Sequence, residues 1–191
     1  MPEEVVYVGE TREVSIRTKI FKTLHEEFNP AMYSFGCPIG QNPCGQLEEI
    51  SNEYSDRNVF IAIPYSRYSY ENDIREVLQA AGLNPKAAKD KITSKMLLCK
   101  VCEELRKCAY GVVDISKNNL NVVYELGLMQ SLGKECAILL KSGASRQTDL
   151  QGIENVLYQD ARRLKTKLAK WIEDNIRNFN ENELRSYIGN L

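Results

Sequence analysis

Two carboxylates, Asp114 and Glu125, stand where acid groups could act on a sugar. Asp114 interrupts the β-branched run of Val112, Val113 and Ile115 just before it ends, and Glu125 follows after a polar turn. Such a run is typical of a parallel strand covered on both faces, and α/β sheets bind ligands at the carboxyl ends of their strands. A carboxylate held against a sugar can stabilise an oxocarbenium-like centre or attack it covalently, as in glycosidases generally. We therefore predict Glu125 and Asp114 as catalytic residues.

Polar residues around the two carboxylates form a second candidate group. Ser116, Asn119 and Asn121 carry hydroxyl and amide groups, which can cap a helix and hydrogen-bond a sugar. Tyr124 can stack on a base or a sugar. We predict that these four residues bind ligand.

Each carboxylate also has a purely structural interpretation. A glutamate in the first turn of a helix can complement the helix macrodipole, which typically contributes under about 1 kcal/mol. Asp114 can accept hydrogen bonds from amides of the following loop and lock the turn without touching a ligand. Glu125, however, shares a helical face with Leu128, Met129 and Leu132, which predicts a position at the margin of apolar surface. That position favours a ligand-facing Glu125.

Hydrophobic periodicity predicts the elements that position these residues. Strands are expected over 59–63, 83–89, 111–115, 136–140 and 155–158. Helices are expected over 74–81, 93–109, 121–132 and 161–178. Pro85 lacks a ladder donor, so the second strand should be short or lie at an edge. Gly82 and Gly133 should end their helices. The alternation predicts one flavodoxin-like α/β domain with a mostly parallel, doubly wound sheet.

The stretch around Glu125 resembles the nucleoside 2-deoxyribosyltransferases and the TIR-like (Toll/interleukin-1 receptor-like) nucleotide hydrolases. Members carry a hydrophobic strand ending in Asp, a polar turn, a Tyr-Glu-Leu-Gly type sequence and a later Gly-Lys pair. Here these are Asp114, Tyr124 to Gly127, and Gly133-Lys134, and the similarity covers roughly residues 58–160. Asn119 stands where the deoxyribosyltransferases usually carry Asp.

This resemblance implies a function and further site residues. The substrate would be NAD, another nucleotide or a nucleoside, whose ribose–base bond is hydrolysed or transferred without a cofactor. Tyr65, Ser66 and Arg67 follow the first strand, where the family places residues lining the base or phosphate end of the pocket. A neighbouring subunit completes the pocket in the deoxyribosyltransferases, so a homo-oligomer is expected. The alternative is a non-catalytic TIR-like module that senses a nucleotide signal and oligomerises.

Three segments are expected along the chain. Residues 1–57 form an N-terminal extension with a Gly/Pro-rich, cysteine-containing loop, 58–180 form the α/β domain, and 181–191 form a tail.

The chain has 191 residues, 43% of them hydrophobic, enough for a full core. No long apolar run or signal sequence is evident, which predicts a cytoplasmic protein without a membrane span. The net charge of -1 gives no reason to expect nucleic-acid binding.

The six cysteines suggest a competing chemistry. Cys37 and Cys44 in the loop could meet Cys99 and Cys102, which are one helical turn apart, and bind zinc or an iron–sulfur cluster. Cys102 also lies in an apolar stripe, where a free cysteine behaves as a small hydrophobe. The lone His25 supports neither a His-rich metal site nor a Ser-His-Asp triad. We therefore expect no metal, and keep the four-cysteine site as the alternative.

Overall fold

A five-stranded parallel sheet organises the chain. The computed structural model describes residues 50, 52–64, 70–90, 97–144 and 154–191. The strands are β1 (Ser55–Ala62), β2 (Asn84–Lys86), β3 (Cys108–Asp114), β4 (Glu135–Lys141) and β5 (Val156–Tyr158). The helices are α1 (Glu71–Ala80), α2 (Leu97–Arg106), α3 (Leu120–Ser131), α4 (Ala161–Asn175) and α5 (Glu181–Gly189). Most of the predicted N-terminal extension lies outside the described residues.

The strand order β2-β1-β3-β4-β5, with every pair parallel, is the flavodoxin-like arrangement. The predicted fold class is therefore confirmed. The strand that contains Pro85 is only three residues long and lies at an edge, as expected of a residue without a ladder donor. From β1 the chain first adds β2 on one side of the sheet and then β3 on the other, so the strand order reverses between β1 and β3. The ligand crevice of such a sheet is expected there, at the carboxyl ends of these two strands.

Two hydrophobic layers cover the sheet because successive strand residues point to opposite faces. Val112 belongs to the layer formed with α1, α4 and α5, and Val113 to the layer formed with α2 and α3. The first layer includes Leu184 of α5, so the predicted C-terminal tail contains a helix with a buried residue. Within the described residues, no helix is long and apolar enough to cross a membrane.

The boundary between α2 and β3 differs from the sequence-based prediction. The apolar stripe suggested a helix as far as Ala109, but α2 ends at Arg106 and β3 already begins at Cys108. Cys108 pairs with Ser55 of β1, and its buried side chain fits a helix stripe and a buried strand equally well. Backbone pairing with β1 therefore decides the boundary.

Helix α3 packs closely against β3 at Gly111. A Cβ atom there would lie 2.5 Å from Met129 Sδ and 2.9 Å from Cys136 Sγ. Gly111→Ala is therefore expected to lower the free energy of unfolding, measured in urea, by about 1–3 kcal/mol. The matched control is Gly127→Ala, at an exposed position of α3 where a Cβ atom meets nothing within 4 Å. Because Ala favours helix over Gly, the control should gain about 0.5–1 kcal/mol. Equal effects of the two substitutions would contradict the close approach.

Candidate active site

Asp114 is the last residue of β3 and is tied to the turn that follows. Its Oδ1 accepts a hydrogen bond from the Ser116 amide at 2.8 Å, and its Oδ2 accepts one from the Tyr158 hydroxyl at 2.6 Å. Asp114 and Tyr158 are both buried. Asp114 points to the layer of α1 and α4, because it shares a strand face with Val112. The predicted carboxylate thus has contacts of the kind that lock a turn.

Lys141, at the carboxyl end of β4, closes the other side of this turn. Its amide donates to Ser116 Oγ at 2.7 Å, and its Nζ donates to the Tyr70 hydroxyl at 3.0 Å. The Tyr70 ring meets the Tyr158 ring edge to face, with centroids 5.3 Å apart. One network therefore joins Tyr70, Ser116, Lys141, Tyr158 and Asp114.

Asn119 caps helix α3. Its Oδ1 accepts hydrogen bonds from the amides of Asn121 at 3.0 Å and Val122 at 3.3 Å. The preceding Asn118 has a φ of 48°, in the left-handed region that Asn tolerates better than most residues. Because Asn119 Oδ1 accepts these capping hydrogen bonds, the side-chain NH₂ group of Asn119 is the part that could donate to a sugar hydroxyl. The Asn121 side chain is exposed and free of this capping duty.

Glu125 is buried with 6% of its surface exposed and makes no hydrogen bond or ion pair within the described part of the chain. It is the sixth residue of α3 and lies in the second turn, so the expected first-turn position is wrong. Helix α3 begins at Leu120, after its cap Asn119, and even from Asn121 the fifth residue would lie beyond a first turn of 3.6 residues. The macrodipole interpretation weakens accordingly, since its effect falls off within the first turn.

Burial alone raises the pKa of Glu125 to about 7. Its helix neighbours Val122, Leu126 and Met129 belong to the layer between α2, α3 and the sheet. A carboxylate desolvated in this way, without a compensating partner, is costly to fold and is a recognised mark of a functional position. Asp114 and Glu125 do not contact one another, and they belong to opposite layers.

Apolar side chains remain exposed on the two helices of this layer. Leu120 and Tyr124 of α3 are 78% and 43% exposed, and Leu97 and Leu98 of α2 are 59% and 39% exposed. Leu120 and Tyr124 lie in the amino-terminal half of α3, which in a parallel α/β fold follows the carboxyl end of a strand. Tyr124 is thus accessible next to Glu125 in sequence, as a stacking role requires.

The predicted ligand residues Tyr65, Ser66 and Arg67 lie outside the described residues. The same holds for Cys37 and Cys44 of the alternative metal site. Within the described ranges, no group of three or more His, Cys, Asp or Glu side chains could hold a metal ion. The four-cysteine alternative therefore stays an untested prediction.

Cys108 and Cys136 are poor nucleophiles. Burial raises the pKa of the Cys108 and Cys136 thiols to about 12, so both stay protonated near neutral pH. Cys102 is buried and Cys99 is half-buried on α2. The thiols of Cys108 and Cys136 are thus packing groups.

The Gly133-Lys134 pair lies at the other end of the sheet. Gly133 has a φ of 66° and follows the end of α3, as predicted. Lys134 donates from Nζ to the Cys108 carbonyl, and burial lowers its pKa to about 8. Lys134, Leu157 and Trp171 line a cavity of about 720 Å³ at the amino ends of β4 and β5. This cavity is separate from the carboxyl-end position of Asp114.

Sequence reasoning missed Tyr70, Lys141 and Tyr158 as members of the network around Asp114. No local motif marks them, because each lies on a different element and its role depends on sheet register. Lys141 pairs with Tyr158 in the β4–β5 ladder, which brings both to the end of the sheet that carries Asp114. The available signals were Tyr158 at the end of the strand predicted over 155–158 and Lys141 directly after the strand predicted over 136–140.

Comparison with known proteins assigns no family. No protein-family model matches the sequence, and no curated protein matches it at a significant level. The fold and the surroundings of Glu125 are therefore the physical basis for a functional proposal.

Proposed function

We propose that this protein binds a nucleotide or nucleoside and cleaves or transfers its ribose–base bond, with Glu125 as the key carboxylate. The observation that carries the proposal is the burial of Glu125, which makes no hydrogen bond or ion pair to any described residue. A buried carboxylate without a structural partner is costly, and a function explains its retention. NAD is the substrate suggested by the resemblance to TIR-like hydrolases.

The chemistry needs little besides a well-placed negative charge. As the C1′–N bond breaks, its electron pair leaves with the base and positive charge develops on the ribose. Glu125 would stabilise that charge or form a bond to C1′, which breaks again when water or a second base adds at C1′. The proton lost by the incoming water or base goes to the departed base or to solvent. Low local polarity strengthens this interaction, because the charges are poorly screened. No metal or organic cofactor takes part in this scheme.

Neighbouring polar groups would hold the substrate. The exposed Asn121 and Tyr124 side chains suit a sugar hydroxyl and a base, respectively, and the NH₂ group of Asn119 is a further donor. Tyr65, Ser66 and Arg67 complete the proposed pocket as expectations from the resemblance. Arg67 would suit a phosphate because its planar guanidinium can donate two parallel hydrogen bonds.

The direct test is release of a free base. Purified full-length protein is incubated separately with NAD, with ribonucleosides and deoxyribonucleosides, and with their monophosphates, and the products are separated by chromatography. Nicotinamide or another free base is expected in at least one reaction. A second free base added as acceptor separates hydrolysis from transfer. Absence of release from every substrate, with or without acceptor, would contradict the enzymatic proposal.

The exposed apolar residues Leu97, Leu98, Leu120 and Tyr124 favour a second candidate, a nucleotide sensor that signals by assembling. Large apolar side chains that remain exposed can mark contacts with another chain. In either case we expect a homo-oligomer. Light scattering should give at least a dimer mass, and Leu120→Glu should shift it towards the monomer. Leu157→Glu on β5, also exposed, is the control. A monomer at all concentrations, with and without NAD, would contradict assembly.

A further inference from the structure

Tyr158 stands out because its hydroxyl meets a buried carboxylate. The ring belongs to the core beneath α1 and α4, and only 2% of the residue is exposed. Its hydroxyl donates to Asp114 Oδ2 at 2.6 Å, across 44 positions of sequence. A bond between a neutral donor and a buried carboxylate is short and comparatively strong. The end of β3 is therefore held by a residue of the edge strand β5.

A series of hydrogen bonds connects Tyr158, through Asp114, to the turn before α3. Asp114 Oδ1 accepts from the Ser116 amide at 2.8 Å, while Ser116 Oγ accepts from the Lys141 amide at 2.7 Å. Lys141 is the ladder partner of Tyr158. The turn is thus held on one side by β3 and on the other by β4, and Tyr158 of β5 donates to the Asp114 carboxylate that holds it.

Three residues after Ser116, Asn119 caps α3 and fixes where the helix begins. Glu125 then follows as the sixth helical residue. Because a helix rises about 1.5 Å and turns about 100° per residue, a change at its first turn moves every later side chain. A shift of the 115–119 turn would therefore move the start of α3 and, with it, Glu125.

We infer that Tyr158 is a positioning residue for the reaction at Glu125, acting through Asp114 and the 115–119 turn. The role of Asp114 is then to hold the turn rather than to touch the substrate, since both its oxygens accept structural hydrogen bonds and it faces the layer opposite Glu125. This inference rests on the proposed function only for its catalytic consequence. Its structural part concerns α3 and can be tested without any substrate.

The experiment compares Tyr158→Phe with Tyr187→Phe in the full-length protein. Tyr187 also donates its hydroxyl to a carboxylate, that of Glu76 at 2.8 Å, but on the exposed surface of α5 and α1. Side-chain carbon NMR follows the titration of Glu125, and hydrogen exchange follows the amides of Ser116, Asn121 and Val122. In Tyr158→Phe the titration midpoint should fall towards 4.5 as water reaches Glu125, and these amides should exchange at least about tenfold faster. Tyr187→Phe should leave both unchanged.

The catalytic readout is kcat against KM for base release. Tyr158→Phe should lower kcat about tenfold or more while KM changes little, because the reacting group rather than substrate binding is disturbed. Asp114→Asn is the second variant: its oxygen can still accept from Ser116 and its NH₂ can donate to the Tyr158 oxygen. Asp114→Asn should keep most of the base-release activity and most of the slow amide exchange at Ser116. Asp114→Ala should lose both.

Two results would overturn the inference. One is a Tyr158→Phe protein that matches Tyr187→Phe in both Glu125 titration and amide exchange. The other is a complete loss of activity in Asp114→Asn with unchanged exchange at Ser116, which would make the Asp114 charge itself part of the chemistry. If wild-type protein releases no base, the proposed function fails, while titration and exchange still decide the positioning of α3.

Discussion

Replacing Glu125 by Gln is expected to lower kcat/KM for base release by roughly 10³-fold or more, with the fold intact. Gln has nearly the same shape and can occupy the same place on α3, but it carries no negative charge to oppose the positive charge that develops on the ribose. It also cannot form a covalent bond to C1′ of the kind open to a carboxylate. The measurement is steady-state release of the base, followed by chromatography.

The pH dependence gives the same experiment a second readout. Since burial raises the pKa of Glu125 to about 7, kcat/KM of the wild type should rise with pH and level off above about 7. Exposed Glu154 provides the matched control, because Glu154→Gln makes the same chemical change away from α3. It should keep both the rate and the pH profile. Near-normal turnover in Glu125→Gln would remove the catalytic assignment and favour the nucleotide sensor.

The sheet and its helices were largely predictable from the sequence because their periodicities are strong. Val112 and Val113 form a run without polar interruption, and both are fully buried in β3. Gly82 and Gly133 both adopt positive φ next to the ends of their helices, where other residues would be strained. Local chemistry and tertiary packing agree at these positions. The boundary at Cys108 was missed because there the two disagree.

The surroundings of the candidate site were predictable only in part. The helical pattern suggested that Glu125 lies at the margin of apolar surface, whereas the structure buries it. The partners of Asp114 depended on long-range register, since Tyr158 meets it only after β5 has paired with β4. Sequence spacing contains no information on such a contact. The hydrogen-bond network around Asp114 therefore follows from the fold and is not predictable from the sequence.

Lys107, buried at the amino end of the sheet, is a second residue whose surroundings could not be predicted from the local sequence. Lys107 is almost fully buried, with its Nζ 2.9 Å from Glu53, 2.6 Å from Glu103 and 3.2 Å from Glu104. Charged residues on a helix are usually solvated, so a helical pattern predicts an exposed face. Here several carboxylates share one ammonium group. Their pairing offsets a desolvation cost that each charge alone would carry.

Glu125 should also make the stability of the protein depend on pH, in a direction opposite to that of a salt-bridged glutamate. In the folded chain its pKa is about 7, against an ordinary value of 4.5. Between these two pH values the folded state binds the proton more tightly than the unfolded state does. The free energy of unfolding therefore falls as pH rises through this window and loses nothing further from Glu125 above it.

Glu125→Gln removes this penalty, so the variant should be more stable than the wild type at pH 8 and equally stable near pH 4. A difference of one in pKa corresponds to about 1.4 kcal/mol, which sets the gain at up to about 3 kcal/mol at pH 8. Urea unfolding at pH 4, 6 and 8 measures it, with Glu154→Gln as the control that should follow the wild type at each pH. A Glu125→Gln protein destabilised at pH 8 would mean that the carboxylate has a stabilising partner after all, and would turn Glu125 from a reactive group into a structural one.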